Sequence, residues 1–158
     1  MSNVNLIFID IDGVLNSENF YHNEPNFTWD LFDPTCVLLL NKLIEKTDAL
    51  LVLSSDWRKT YGIYEVKKIF KQNKVEGIIV GSTPIINKRG LAIQNCGLEI
   101  EMYLKSLSKK VKEQINYIIL DDIYLFLNEQ MNNNFVHINP IYGFSFKDYE
   151  KASNILKQ

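Results

Sequence analysis

The sequence predicts an α/β fold, a three-layer α/β/α sandwich built on a parallel sheet of about five strands. Short apolar runs rich in β-formers recur along the chain: Leu6 to Ile11, Ala49 to Ser54, Gly77 to Val80, Asn116 to Leu120 and Phe135 to Ile138. Runs of that length and polarity read as strands buried on both faces. Amphipathic stretches separate them, and strand alternating with helix implies crossover connections, which make the sheet parallel and place helices on both sides of it. Length agrees, because 158 residues hold five or six such units and bury roughly 68–70% of the surface the unfolded chain exposes.

The elements follow in order. After the first strand, Asn16 to Asp33 fits neither helix nor strand; it contains Pro25 and the aromatics Phe20, Tyr21, Phe27, Trp29 and Phe32. Loops this long in a compact domain are usually functional, and this one stands where a flap would sit. Asp33 and Pro34 read as N-cap and first position of a helix that ends near Lys46, with Val37, Leu40, Leu43 and Ile44 on its apolar side. A second helix covers Gly62 to Gln72, with Tyr64, Ile69 and Phe70 as its inner face. A third carries Ile100, Tyr103, Leu104, Leu107 and Val111 at helical spacing. The last follows Ser145, whose partner Asp148 resembles a capping box, and buries Ala152, Ile155 and Leu156. No repeat, linker or composition break divides the chain, so one domain over 1–158 is expected.

Composition narrows the function classes. Apolar residues make up 46% and charged residues 23%, and 17 Lys and Arg against 19 Asp and Glu give a net charge of −2. Strong nonspecific binding to a polyanion is not advertised. Cys36 and Cys96 lack CxxC spacing, which argues against a zinc site and for reduced thiols in a cytoplasmic protein. No apolar run approaches the roughly 18–20 residues of a membrane span, so no membrane partner is expected.

Three motifs carry chemistry, and each ends a strand. Asp10-Ile11-Asp12-Gly13 sets two carboxylates two residues apart at the end of Leu-Ile-Phe-Ile, where a buried acid is costly unless paired, hydrogen-bonded or bound to a cation. Gly13 permits a sharp turn and close approach to a ligand; the alternative is a strand that frays into a polar turn. Ser54-Ser55-Asp56 ends the second run with hydroxyls suited to an anion, or alternatively with a helix cap. Asp121-Asp122 ends a very apolar strand with adjacent acids, which a hard divalent cation explains better than an N-cap does. In an open parallel sheet, ligands gather at the carboxyl ends of strands. Asp10, Asp121 and Asp122 could therefore converge on one Mg²⁺ while Ser54 holds a phosphate. Trp57 either packs under the flap or stacks a base, and Arg58 is a candidate grip on a second phosphate. The flap aromatics carry the same ambiguity.

Asp10-Ile11-Asp12-Gly13-Val14-Leu15, the strand-ending Ser54 and Asp121-Asp122 resemble the phosphatase branch of the haloacid dehalogenase (HAD) superfamily. Leu53 to Arg58, Ser82-Thr83-Pro84, Glu99-Ile100 with Tyr103-Leu104, and Leu120-Asp121-Asp122 resemble more narrowly the HAD domain of Swiss-army-knife RNA repair proteins and its stand-alone relatives, over Leu6 to Leu156. This resemblance implies a HAD-like, Rossmann-like fold and a Mg²⁺-dependent phosphatase. With only 16–33 as flap, no large cap domain fits. Asp10 would be the nucleophile that forms an aspartyl-phosphate, and Asp12 the general acid and base that also lends its backbone carbonyl to Mg²⁺ beside Asp121 and Asp122. Ser54 would hold the phosphate, with Gly13, Ser55 and Arg58 as further substrate contacts. The charge-neutralising cation is assigned to Arg89, with Lys88 and Lys105 as rivals. Relatives place Arg-Gly shortly before Glu-Ile, whereas here Leu91 to Leu98 intervene. Nucleotide or nucleic-acid phosphate ends are the expected substrates, with small phosphorylated metabolites as runner-up and a non-hydrolysing phosphate- or nucleic-acid-binding module as the alternative of another class.

Overall fold

The computed structural model describes residues 3–86 and 96–156. Five parallel strands, β1 (Val4–Ile9), β2 (Leu50–Leu53), β3 (Ile79–Ser82), β4 (Ile115–Asp121) and β5 (Phe135–His137), form one sheet in the order β3-β2-β1-β4-β5. Among the described residues the helices are α1 (Glu18–Asn23), α2 (Pro34–Thr47), α3 (Trp57–Thr60), α4 (Gly62–Gln72), α5 (Cys96–Ser106), α6 (Lys109–Lys112), α7 (Asn128–Asn133) and α8 (Phe146–Leu156). The chain winds outward from β1 through β2 to β3, then returns to the other side of β1 with β4. The order therefore reverses between β1 and β4, and a crevice opens there beyond the carboxyl ends of the strands.

Alternation along the strands builds the three layers. Ile7 and Ile9 of β1 pack with Leu51, Leu53, Ile118 and Leu120 against α2, α4 and α8. Leu6 and Phe8 face the other way with Val52 and Ile119, against Cys96 and Ile100 of α5 and against Phe126. Period-two geometry in a sheet covered on both faces requires apolar residues at every position, which the Leu-Ile-Phe-Ile run supplies.

Local signals set the helix ends. The Asp33 carboxylate accepts from the Thr35 amide ahead of Pro34, as the sequence predicts for α2, a cap of about 1 kcal/mol. The Asp148 carboxylate accepts from both the Ser145 amide and the Ser145 hydroxyl, which fixes the start of α8. α4 has the expected bounds, but Tyr64 is 76% exposed and Val66 takes its place inside with Ile69 and Phe70, the closer match to three-and-four spacing. The expected third helix is two: α5 stops at Ser106, the Ser108 hydroxyl caps α6, and Val111 lies exposed on that short second helix. β3 begins two residues later than Gly77, since Leu51 pairs with Ile79 and the ladder shifts register just after it. The Asn16 to Asp33 segment holds one short helix, α1, capped by Ser17. No helix among the described residues is long and apolar enough to cross a membrane.

Candidate active site

β1 stops at Ile9, two residues earlier than the apolar run suggests, so Asp10 to Asp12 leave the sheet as a turn. The Asp10 amide still donates to the Leu120 carbonyl, tying the turn to β4, while the Ile11 carbonyl accepts from the Val14 and Leu15 amides. Asp10 is partly buried and Asp12 is exposed, with buried Ile11 between them. A strand would direct both acids to one side, as their two-residue spacing suggests, but because β1 has already ended they take their places from the turn instead.

Asp121, the last residue of β4, and Asp122, the next, stand beside Asp10 across the β1–β4 crevice. One carboxylate oxygen from each of the three lies within 4.8 Å of the others. Burial raises the Asp10 carboxyl to about 7, a rise opposed by hydrogen bonds from the Ser55 hydroxyl and the Ile11 amide and reinforced by the charges of Asp122 and Asp12. Burial, with the Asp10 charge next, pushes Asp121 up to about 9. Asp122 is raised as well, chiefly by burial, although the His137 charge works against the rise. Clustered oxygen donors that resist ionising together are a donor set that a hard divalent cation fits, since the cation supplies the missing positive charge.

Two backbone features hold this arrangement. Gly13 has φ +73°, and a Cβ there would lie 2.7 Å from the Asp122 carboxylate and 3.0 Å from Pro140, so the turn and the second acid of β4 approach as closely as they do only because Gly13 has no side chain. The His137 ring Nε2 is 2.9 Å from the Asp122 carbonyl. The close approach expected of Gly13 is made to Asp122.

Asp12 is held from both sides. Asn16 Nδ2 donates to Asp12 Oδ1 at 2.9 Å, and Trp57 Nε1 donates to Oδ2 at 2.9 Å. Asn16 also accepts from the Gly13 amide, closing the turn. Neither role was read from the sequence. For Asn16 the signal was its place four residues after Asp12. Trp57 is buried under Phe32 of the flap segment, 6.0 Å between ring centres, with its indole N–H turned to Asp12.

At the end of β2, Ser54 is buried and its Oγ has no hydrogen-bond partner among the described residues; Thr83, one residue past β3, has the same unmet hydroxyl. Buried polar atoms without partners are uncommon, and these two hydroxyls stand at the carboxyl ends of β2 and β3, where ligands of an open parallel sheet gather. Ser55 instead bonds Asp10 and accepts from the Trp57 amide, so it orients the carboxylate. Arg58 is not free to grip a phosphate. Its guanidinium is buried, donates to the Ser54, Ser55 and Thr83 carbonyls and pairs with buried Glu99 of α5. The corrected role for Arg58 is to lock the end of β2 to α5. Arg89 and Lys88 lie outside the described residues, and Lys105 pairs with Glu101 on the exposed face of α5 at 2.8 Å.

A family model described as the HAD domain in Swiss Army Knife RNA repair proteins matches residues 6–149. No curated protein and no solved structure matches the chain.

Proposed function

The chain belongs to the family of HAD domains of Swiss Army Knife RNA repair proteins, and from that premise we propose that it is a Mg²⁺-dependent phosphomonoesterase working through an aspartyl-phosphate on Asp10. Membership supports a hydrolase of phosphatase type in an RNA repair setting, and HAD proteins generally use Mg²⁺. The observation that carries the finer reading is the convergence of Asp10, Asp121 and Asp122 at the strand ends, with Asp12 two residues beyond Asp10.

Asp10, Asp121 and Asp122, with the Asp12 carbonyl, would hold Mg²⁺, whose charge lets an anionic phosphate approach an anionic carboxylate. An Asp10 carboxylate oxygen forms the bond to phosphorus as the phosphorus–leaving-oxygen bond breaks, and Asp12 gives its proton to that oxygen. Asp12 then takes a proton from water as the water oxygen attacks phosphorus, which frees Asp10 and inorganic phosphate. The unmet hydroxyls of Ser54 and Thr83 are suited to donate to phosphate oxygens. In this reading Arg89 spreads positive charge over those oxygens in the transition state, the whole chain acts as one unit with 16–33 as its flap, and nucleotide or nucleic-acid phosphate ends are the substrates. Two cysteines, both unpaired and buried, support a reducing cytoplasmic setting.

The test is phosphate release from p-nitrophenyl phosphate and phosphorylated oligonucleotides with and without Mg²⁺. Asp10→Asn should abolish release while circular dichroism stays unchanged. Activity retained in that variant would overturn the reading.

A further inference from the structure

Tyr21, Phe27 and Trp29 form a cluster that the proposed chemistry leaves unused. Tyr21 and Trp29 are stacked, ring centres 5.4 Å apart and planes 25° from parallel, and Phe27 meets both edge-on at 4.8 and 5.6 Å. A core filler from the same segment looks different. Phe32 is 1% exposed, whereas Trp29 is 64% and Tyr21 41% exposed. Exposed aromatic surface gathered in one place, rather than scattered, marks an interaction site.

The cluster is held in place from behind. The Ser17 hydroxyl caps α1 and donates to Asp33, the Glu18 and Asn19 amides donate to the Pro140 and Ile141 carbonyls, and Asn73 accepts from the Phe32 amide and donates to the Asp30 carbonyl. A platform fixed before binding avoids the ordering cost a loose loop would carry. Its location is equally specific, because the three rings line one cavity of about 180 Å³ together with Asp12, Gly13 and Asn16.

In the reaction proposed above, Asp12 protonates the leaving oxygen, so whatever that oxygen carries extends from Asp12 into an aromatic cavity. We infer that this cavity is a nucleobase subsite, in which the base of the nucleotide bearing the scissile phosphate stacks on the open face of Trp29, whose other face is backed by Tyr21. Stacking of this kind tolerates any base, since every base presents a π-face. The Glu18 carboxylate on the same cavity offers acceptors to an exocyclic amino group and repels a second phosphate there, which favours a monophosphate. A small sugar phosphate leaves the aromatic surface uncovered. The inference rests on the phosphatase reading for its geometry, and its test separates the two.

The probes are adenosine 3′- and 5′-monophosphate against ribose 5-phosphate, all with Mg²⁺. The kcat/KM ratio of nucleotide to sugar phosphate should exceed about ten in the native protein, should fall about tenfold in Trp29→Ala and should be largely restored in Trp29→Phe. Equal turnover with and without a base, or a Trp29→Ala ratio equal to the native one, overturns the subsite and leaves the phosphatase standing. If neither these probes nor p-nitrophenyl phosphate nor a phosphorylated oligonucleotide releases phosphate, calorimetric binding of adenosine 5′-monophosphate to the native protein decides. Binding weakened by Trp29→Ala keeps the subsite and removes the phosphatase, and the absence of binding removes the subsite too.

Discussion

The indole N–H of Trp57 donates to the Asp12 carboxylate at 2.9 Å, joining the α3 start to the turn that follows β1 across 45 residues of chain. Asn16 holds the other carboxylate oxygen, so Asp12 has one orientation although it is exposed. A general acid needs that orientation most when the leaving oxygen is a poor one. Trp57→Phe keeps the ring under Phe32 and removes only the donor. It should lower kcat/KM, which reports on transfer to Asp10 and not on the later attack of water, by about tenfold or more on an alkyl phosphate and by much less on p-nitrophenyl phosphate, whose leaving group needs no proton. Equal losses on both substrates would mean that Trp57 merely packs.

Asp10 and Asp121 give the metal-free protein a pH dependence of definite sign. Their carboxyls are raised to about 7 and about 9 from an ordinary 3.8. Above the ordinary value the unfolded chain has released these protons while the folded protein keeps them, so the folded state binds more protons and stability falls as pH rises. That contribution is complete below the ordinary carboxylate range and is lost as pH passes through the two folded values. The thermal midpoint in EDTA should therefore decline from pH 5 to pH 9. Added Mg²⁺ should raise the midpoint more at high pH than at low, because the cation competes with protons for the same oxygens. A midpoint in EDTA that stays level across this range would contradict the account.

What could be read in advance depended on whether a residue's role is set by its neighbours in the chain. Asp10, Asp121 and Asp122 each end an apolar run, and a parallel sheet carries such ends to one edge, so their meeting followed from local pattern and topology. The caps at Asp33 and at Ser145 with Asp148 are local too. Arg58 was misread because Glu99, which neutralises it, lies 41 residues away. A guanidinium beside two serines looks the same in sequence whether it faces a ligand or a buried carboxylate. Leu107 and Val111 continue the apolar spacing of α5 past its end, and only Ser108 signals the break.

The Arg58–Glu99 pair should be a structural keystone. Side-chain exposures are 3% and 6%, and the only other carboxylate paired with Arg58 among the described residues, Asp56, is exposed and 3.8 Å away. Glu99→Ala leaves a buried cation without its partner and strips the Ile86 amide of its acceptor. Loss of about 3 kcal/mol is expected, read by urea denaturation, with Glu99→Gln losing less because its single amide oxygen still accepts from one of the two donors. A loss below about 1 kcal/mol, the range of exposed pairs, would show that the pair contributes little.

Gly13→Ala tests the contact between the turn and the second acid of β4. The new Cβ would sit 2.7 Å from Asp122 Oδ2 and 2.9 Å from its Cγ, with Pro140 closing the other side at 3.0 Å, and φ +73° strains any side chain. Backbone strain of this kind costs about 1–3 kcal/mol. The carboxylate is the part free to swing aside, and doing so breaks the three-oxygen cluster. The Mg²⁺ concentration for half-maximal activity should rise roughly tenfold, the lower end of what disturbed metal surroundings cost. An unchanged Mg²⁺ requirement in a folded Gly13→Ala protein would show that Asp122 does not depend on the turn for its position.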